Sequence, residues 1–302
     1  MNVSQISASE LRRSLHDPGF GIRTGPFVVR INSPIPSVAD GLGLLYKDFP
    51  FAVNSFADFH VRLDRPYNLH RVWHPQVVCY LNDECPFAPL PSDQALAVFE
   101  SLLNWSIYAT TYHYLIIHAA SFERGGCAAI LPAPPGSGKS TLCAALVSRG
   151  WRLLTDELTL ISPSTGSISP LARPISLKNA SIDIMQAFAT REVFSPKVYN
   201  TIKGTIAYMR PPSESVARMH ETAMPRWMIF PKYQAEATTS VKLLPKGLAF
   251  LRLASGLVNY SILGAVGFEA LTQLLERTQC YEFLYSDLNE AIDWFNRLPS
   301  TN

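Results

Sequence analysis

The chain has 302 residues, 47% hydrophobic and 17% charged, a balance that can bury a sizeable core and excludes a disordered chain. Lys and Arg number 26 against 24 Asp and Glu, a formal net charge of +2; this argues against a general nucleic-acid coat or a membrane-surface protein but leaves room for a local basic pocket. No apolar run reaches the roughly 18–20 residues that cross a bilayer, Met1 opens no secretory signal, and the five scattered cysteines (Cys79, Cys85, Cys127, Cys143, Cys280) include no C-x-x-C pair, so neither a zinc site nor a disulfide frame is expected.

Short alternating runs at Phe27–Ile31 and Phe59–Leu63 predict strands, with a short helix over Val38–Tyr46 between them and a further strand at Val77–Leu81. The proline-rich stretch Cys85–Pro91 predicts a boundary between a small N-terminal α/β domain, residues 1–90, and a larger α/β domain, residues 91–302. Ser92 or Asp93 caps a helix to Thr110, with Leu96, Phe99, Leu103 and Ile107 on one face. Tyr114–Ala120 and Cys127–Leu131 read as strands joined by a turn at Gly125-Gly126, followed by a helix from Gly138 to a C-terminal cap at Gly150. Arg152–Thr155, Leu158–Ile161 and Arg226–Phe230 are strand-like. The stretch Leu257–Phe268 reads as core helix or loop, and Asp287 with Glu290 resembles a capping box opening a helix through Leu298.

The most specific signal is Ala133-Pro134-Pro135-Gly136-Ser137-Gly138-Lys139-Ser140. It fits the G-x-x-x-x-G-K-[ST] phosphate loop except that Ala133 stands at the first glycine. An apolar strand precedes it and a helix follows, as the motif requires. Gly136 and Gly138 let backbone N–H groups turn inward, and the helix N-terminus adds its dipole. Lys139 is suited to β- and γ-phosphate oxygens and the Ser140 hydroxyl to Mg²⁺, with Pro135, Ser137 and Thr141 completing the nucleotide-binding set. Ala133 must avoid a positive φ, which alanine tolerates poorly.

Two acids, Asp156 and Glu157, follow the next strand, and His118 sits on the strand before the loop hairpin. This constellation resembles the HPr kinase/phosphorylase family across about residues 114–162, through Ser148-Arg149-Gly150-Trp151-Arg152-Leu153-Leu154-Thr155-Asp156-Glu157. The segments Arg173–Lys178, Lys203–Pro212 and Pro225–Pro231 look like the HPr-related kinase A subgroup, which is related to kinases of lasso-peptide precursors. The resemblance implies an HPr-kinase-type P-loop fold and a Mg-ATP-dependent phosphotransferase acting on a hydroxyl, such as a serine of a peptide or protein. It also implies a PqqD-like peptide chaperone as a partner. His118 is followed by Ala119 where the family has glycine, the second acid is Glu157 rather than aspartate, and the EVRGMG-like signature tied to phosphorylase chemistry is absent from the sequence.

Roles follow from phosphoryl-transfer chemistry, in which the protein mainly positions groups and neutralises charge. Asp156 either accepts the substrate hydroxyl proton or holds Mg²⁺ through water. Glu157 is either a second metal-side carboxylate or a lysine partner. His118 either orients Asp156 and shares its proton or is a satisfied core histidine. Additional cations for the γ-phosphate are sought among Arg173, Lys178, Arg210 and Arg226, with Lys178 and Arg210 first because they lie in the subgroup-like segments. His60, His70, His74 and His113 lack metal-ligand spacing. A small-molecule kinase and a nucleotide-gated binding module with slow ATP hydrolysis stay open as alternatives. The chain is expected to be cytoplasmic, without nucleic-acid or membrane partners, and able to form a homo-oligomer. A chain starting near Ser92 is expected to keep some ATP binding while losing acceptor phosphorylation.

Overall fold

Ser7 opens the first α-helix, after a 3-10 turn at Val3–Gln5. Its hydroxyl accepts from Glu10 N, and Glu10 reaches back to the Ser7 N–H. This computed structural model describes residues 1–52, 55–66, 73–254 and 256–299, so His70 lies outside the described residues. Helix α1 (Ala8–His16) buries Leu11 and Leu15. Strands β1 (Phe20–Thr24) and β2 (Phe27–Asn32) form a hairpin, and α2 (Pro36–Leu45) crosses over to β3 (Phe59–Asp64), which is parallel to β2. Strands β4 (Gln76–Leu81) and β5 (Leu90–Pro91) complete a five-stranded sheet in chain order. Period-two alternation puts Val61, Leu63, Val77 and Cys79 on its buried face.

Helix α3 (Ala95–Thr110) lies against that face. Its Leu96, Phe99, Leu102 and Leu103 share one core with Leu42, Val61 and Val77, and the same core continues into Leu158, Leu160 and Tyr208. The proline-rich stretch is therefore a turn within packed structure: β5 pairs with β4, and Ser92 N donates to Pro75 O at 2.8 Å.

Strands β6 (Leu115–Arg124) and β7 (Cys127–Pro132) form the expected hairpin, turning on Gly125 and Gly126, both at positive φ. Helix α4 (Lys139–Ser148) follows and ends before Gly150, at φ 92°. Next come β8 (Arg152–Thr155), β9 (Leu158–Ile161) and β10 (Ile168–Ser169). A separate three-stranded sheet is built by β11 (Ile175–Lys178), β12 (Val198–Thr201) and β13 (Gly204–Met209), with α5 (Ala180–Phe188) inserted after β11. After α6 (Ser213–Ala217) the chain returns to the main sheet as β14 (Met224–Tyr233) and β15 (Ser240–Leu243). Helices α7 (Lys246–Ala254), α8 (Tyr260–Leu263) and α9 (Ala265–Arg277), strand β16 (Gln279–Tyr285) and α10 (Leu288–Asn296) complete it.

The main sheet runs β10-β9-β6-β7-β14-β16-β15, with β8 also on β6. Its centre, β7-β14-β16, is parallel. Residues of these strands alternate between two cores. Ala129, Leu131, Ile229 and Phe283 face α4, α5 and α10, whereas Ala128, Ile130 and Met228 face α7 and α9. The result is a mixed α/β protein with helices on both faces of its main sheet.

Three expectations need correction. Neither Ser92 nor Asp93 caps α3: both lie in a 3-10 turn, Ser92–Gln94, and the N-cap is Gln94, which makes no side-chain cap bond. Leu257–Phe268 is only in part core helix or loop: Leu257, Tyr260 and Leu263 pack against the core and Gly267 is buried, but Ile262, Val266 and Phe268 are exposed, and Gly264 at φ 55° separates α8 from α9. Asp287 does cap α10, accepting from Asn289 N and Glu290 N, but Glu290 spends its carboxylate on the Thr239 hydroxyl, so the capping box is half formed. Among the described residues no helix is long and apolar enough to cross a membrane.

Candidate functional site

The parallel strands β7, β14 and β16 all point their C-terminal ends at residues 133–141, the edge where open α/β sheets bind ligands. Gly136 and Gly138 sit at φ 86° and 85°. Ala133 is not among the positive-φ residues, which explains why alanine is tolerated there. Gly138 is the N-cap of α4 and provides no side-chain cap, so the helix presents free N–H groups and the positive end of its dipole to the loop. Two neighbouring strands brace this turn. Tyr285, at the end of β16, donates its hydroxyl to Gly138 O at 3.0 Å, and Tyr233 N, at the end of β14, donates to Ser137 O at 2.9 Å. A Cβ at Gly138 would collide with the Tyr285 hydroxyl and the Tyr233 Cβ.

Lys139 is buried, with Nζ 3.2 Å from His118 Nε2. Burial holds the His118 imidazole down to about pKa 4, with Lys139 adding to the depression, so the ring is neutral at pH 7. A lysine ammonium has only donors, so His118 Nε2 is the acceptor. His118 therefore meets Lys139. Among the described residues no hydrogen bond joins it to Asp156.

Asp156 is 3% exposed. Its Oδ2 accepts from Ser176 N at 3.1 Å, while Oδ1 is buried without a hydrogen-bond partner. Burial pushes its pKa up to about 6, against the pull of Lys139 and with the Glu157 charge adding to the rise. Glu157 behaves oppositely. Burial disfavours its charge, yet Lys203, Lys139 and Lys178 together hold its carboxyl below the usual range. The two adjacent acids are thus shifted in opposite directions: burial dominates at Asp156, whereas at Glu157 three lysines together outweigh it.

A cavity of about 830 Å³ is lined by the loop from Pro134 to Thr141, by His118 and Glu157, by Lys178 and Lys203, and by Tyr285 and the start of α10. It brings Pro135, Gly136, Ser137, Gly138, Lys139, Ser140, Thr141, Glu157, His118 and Lys178 together; Asp156 does not line it but is buried in a small adjoining space that Glu157 and Ser176 also line. Three candidates lie elsewhere. Arg173 is buried in an ion pair with Glu100, Arg226 is exposed near the β14 end that pairs with Cys127 and Ala128, opposite the loop, and Arg210 does not line the cavity. His60, His74 and His113 are exposed. Sequence reasoning missed Lys203, Tyr285, Ser176 and Asn104. Lys203 and Ser176 lay in segments already singled out, but Tyr285 and Asn104 reach the site only through strand pairing and side-chain contacts distant in sequence.

The donor set fits a hard cation. Asp156 Oδ1, the Ser140 hydroxyl and Glu157 are all oxygen donors, and Mg²⁺ in such loops uses one or two carboxylates together with phosphate oxygens. Among the described residues no group of three His, Cys, Asp or Glu forms a dedicated metal cage.

No family model and no curated protein matches the chain. Among solved structures, the HPr(Ser) kinase/phosphatase from Coxiella burnetii is similar at 11% identity and a TM-score of 0.25, covering 61% of this chain and 96% of that one. A superposition that loose bears on neither fold nor activity, which leaves the site geometry to support the functional reading.

Proposed function

We propose that the protein is a Mg-ATP-dependent kinase that transfers the γ-phosphoryl group to a hydroxyl of a peptide or protein. The observation that carries this is the uncapped N-terminus of α4, opening through two left-handed glycines onto a cavity that also holds Lys139, Lys178, Lys203 and Glu157. That arrangement suits a polyphosphate: backbone N–H groups, a helix dipole and several cations converge on one space. A second cavity of about 1070 Å³ shares His118 and Pro134–Ser137 with the first. Two spaces meeting at the loop suit a reaction of two substrates.

In this reading Asp156 takes the acceptor hydroxyl proton as that oxygen bonds to the γ-phosphorus and the bond to the bridging oxygen breaks, releasing ADP. Lys139 offsets charge on the transferring group, and neutral His118 holds the Lys139 ammonium in place. Mg²⁺, when bound, would supply charge neutralisation at the phosphates, with Ser140 and Glu157 to hold it. Radiolabel transfer from γ-labelled ATP onto candidate peptides tests the reading. Label appearing only as free phosphate overturns the kinase in favour of a nucleotide-hydrolysing binding module. Titration of Lys139→Ala should show Mg-ATP affinity reduced roughly 10–100-fold, as for a lost charged hydrogen bond; equal affinity of the two proteins overturns the nucleotide site.

A further inference from the structure

Four side chains outside the phosphate cavity form one connected path to Glu157. Tyr46, at the C-cap of α2, donates its hydroxyl to Glu100 Oε1 on α3 at 2.7 Å. Glu100 Oε2 pairs with Arg173 Nη2 at 2.6 Å. Arg173 also donates to Glu100 O at 3.1 Å and, through Nη1, to Asn104 Oδ1 at 2.8 Å. Asn104 Nδ2 then donates to Glu157 Oε2 at 3.2 Å.

Chemistry fixes the direction of this path. A guanidinium has donors only, so the Asn104 amide oxygen must face Arg173 and its NH₂ group is left for Glu157. The clamp is rigid because Tyr46, Glu100 and Arg173 are 0%, 3% and 6% exposed. A buried ion pair is weak evidence for stability, since apolar replacements of similar volume often serve as well. Aiming a neighbour is a better account of an Arg–Glu pair in this place. The same segment grips the other acid, because Ser176 N, three residues after Arg173, holds Asp156 Oδ2.

We propose that Asn104 is a positioning residue. Clamped by Arg173 and Glu100, it fixes the Glu157 carboxylate against the phosphate cavity, and through Tyr46 the N-terminal layer bears on phosphoryl transfer. This rests on the nucleotide-site reading above. It also gives Arg173 an internal role in place of a phosphate contact.

The test uses the full chain with γ-labelled Mg-ATP and candidate acceptor peptides, measuring binding by calorimetry and turnover as label leaving ATP, whether to an acceptor or to water. Asn104→Asp keeps the size and the acceptor for Arg173 but loses the donor to Glu157. Asn104→Leu loses both. Both variants should bind Mg-ATP like the parent, keep its KM and lose about 10–100-fold in kcat, the range for groups that orient a site ligand from behind. In a Glu157→Gln background, Asn104→Leu should cost nothing further, because the path ends at that carboxylate. A parent-like kcat for Asn104→Asp, or fully additive losses in the double variant, overturns the proposal. A parent that neither binds nor hydrolyses Mg-ATP overturns the nucleotide reading itself.

Discussion

The two walls of the site are built in opposite ways. The wall proposed above to bind phosphate, the phosphate wall, is nine consecutive residues, Ala133 to Thr141, whose glycines, lysine and hydroxyls stand where the chain places them. The acid wall is assembled from Asn104, Asp156, Glu157, Arg173, Ser176 and Lys203, brought together by α3 and the small sheet of β11 and β13. A local wall depends on backbone conformation. An assembled wall depends on the packing of everything that delivers its parts, the N-terminal layer included.

The largest expected effect comes from removing that layer. A chain starting at Ser92 loses β1 to β5 and leaves Leu96, Phe99, Leu102 and Leu103 of α3 uncovered in water. Each such side chain is worth about 1.5–3 kcal/mol of burial, so the truncation should aggregate or melt far below the parent. The boundary at Cys85–Pro91 predicts the opposite outcome, a separable domain that retains some ATP binding. A soluble truncation with parent-like circular dichroism and Mg-ATP affinity would show that the phosphate wall stands without its neighbour.

Substitution within the acid wall comes next. Asp156→Asn keeps the Ser176 N–H contact through its amide oxygen but cannot take a proton. Turnover should fall by about 10²–10⁴, the usual cost of losing a general base, while calorimetry shows Mg-ATP still bound. Turnover within a few-fold of the parent removes Asp156 from the chemistry.

The contrast between the walls also explains what the sequence could show. The loop, its flanking β7 and α4, and the strands around His118 and Asp156 were legible because each obeys a local rule of periodicity or turn chemistry. The pairing of β14 with β7 and β16 was not, because nothing local in Trp227 or Cys280 states which strand lies beside it. The same limit hid Tyr285 and Asn104. It also left Arg173 looking like a phosphate contact, since a buried partner at Glu100 cannot be read from charge pattern alone.

A smaller effect separates the two glycines of the phosphate wall. Both have φ near +85°, so alanine strains either backbone by roughly 1 kcal/mol. Gly136 has nothing within 4 Å of an added Cβ, whereas at Gly138 the Cβ meets Tyr285 and Tyr233. Overpacking adds about 1–3 kcal/mol, so Gly138→Ala should melt well below Gly136→Ala in thermal denaturation. Equal melting temperatures would mean that the tyrosine brace yields freely.

The smallest effect compares cations that charge pattern alone ranks alike. Lys203 is exposed, yet it lines the phosphate cavity and heads the cations that keep Glu157 ionised. Arg210 lies in the same sequence segment, but its backbone N–H donates to Val193 O and it does not line the cavity. An exposed charge acts through screened solvent, so its loss is felt weakly and less at high salt. Lys203→Ala should therefore lower turnover a few-fold at low ionic strength, with the deficit shrinking as salt is added. Arg210→Ala should match the parent at every salt concentration. Equal losses in the two variants would mean that net charge over the region matters and that the placement of Lys203 at the cavity does not.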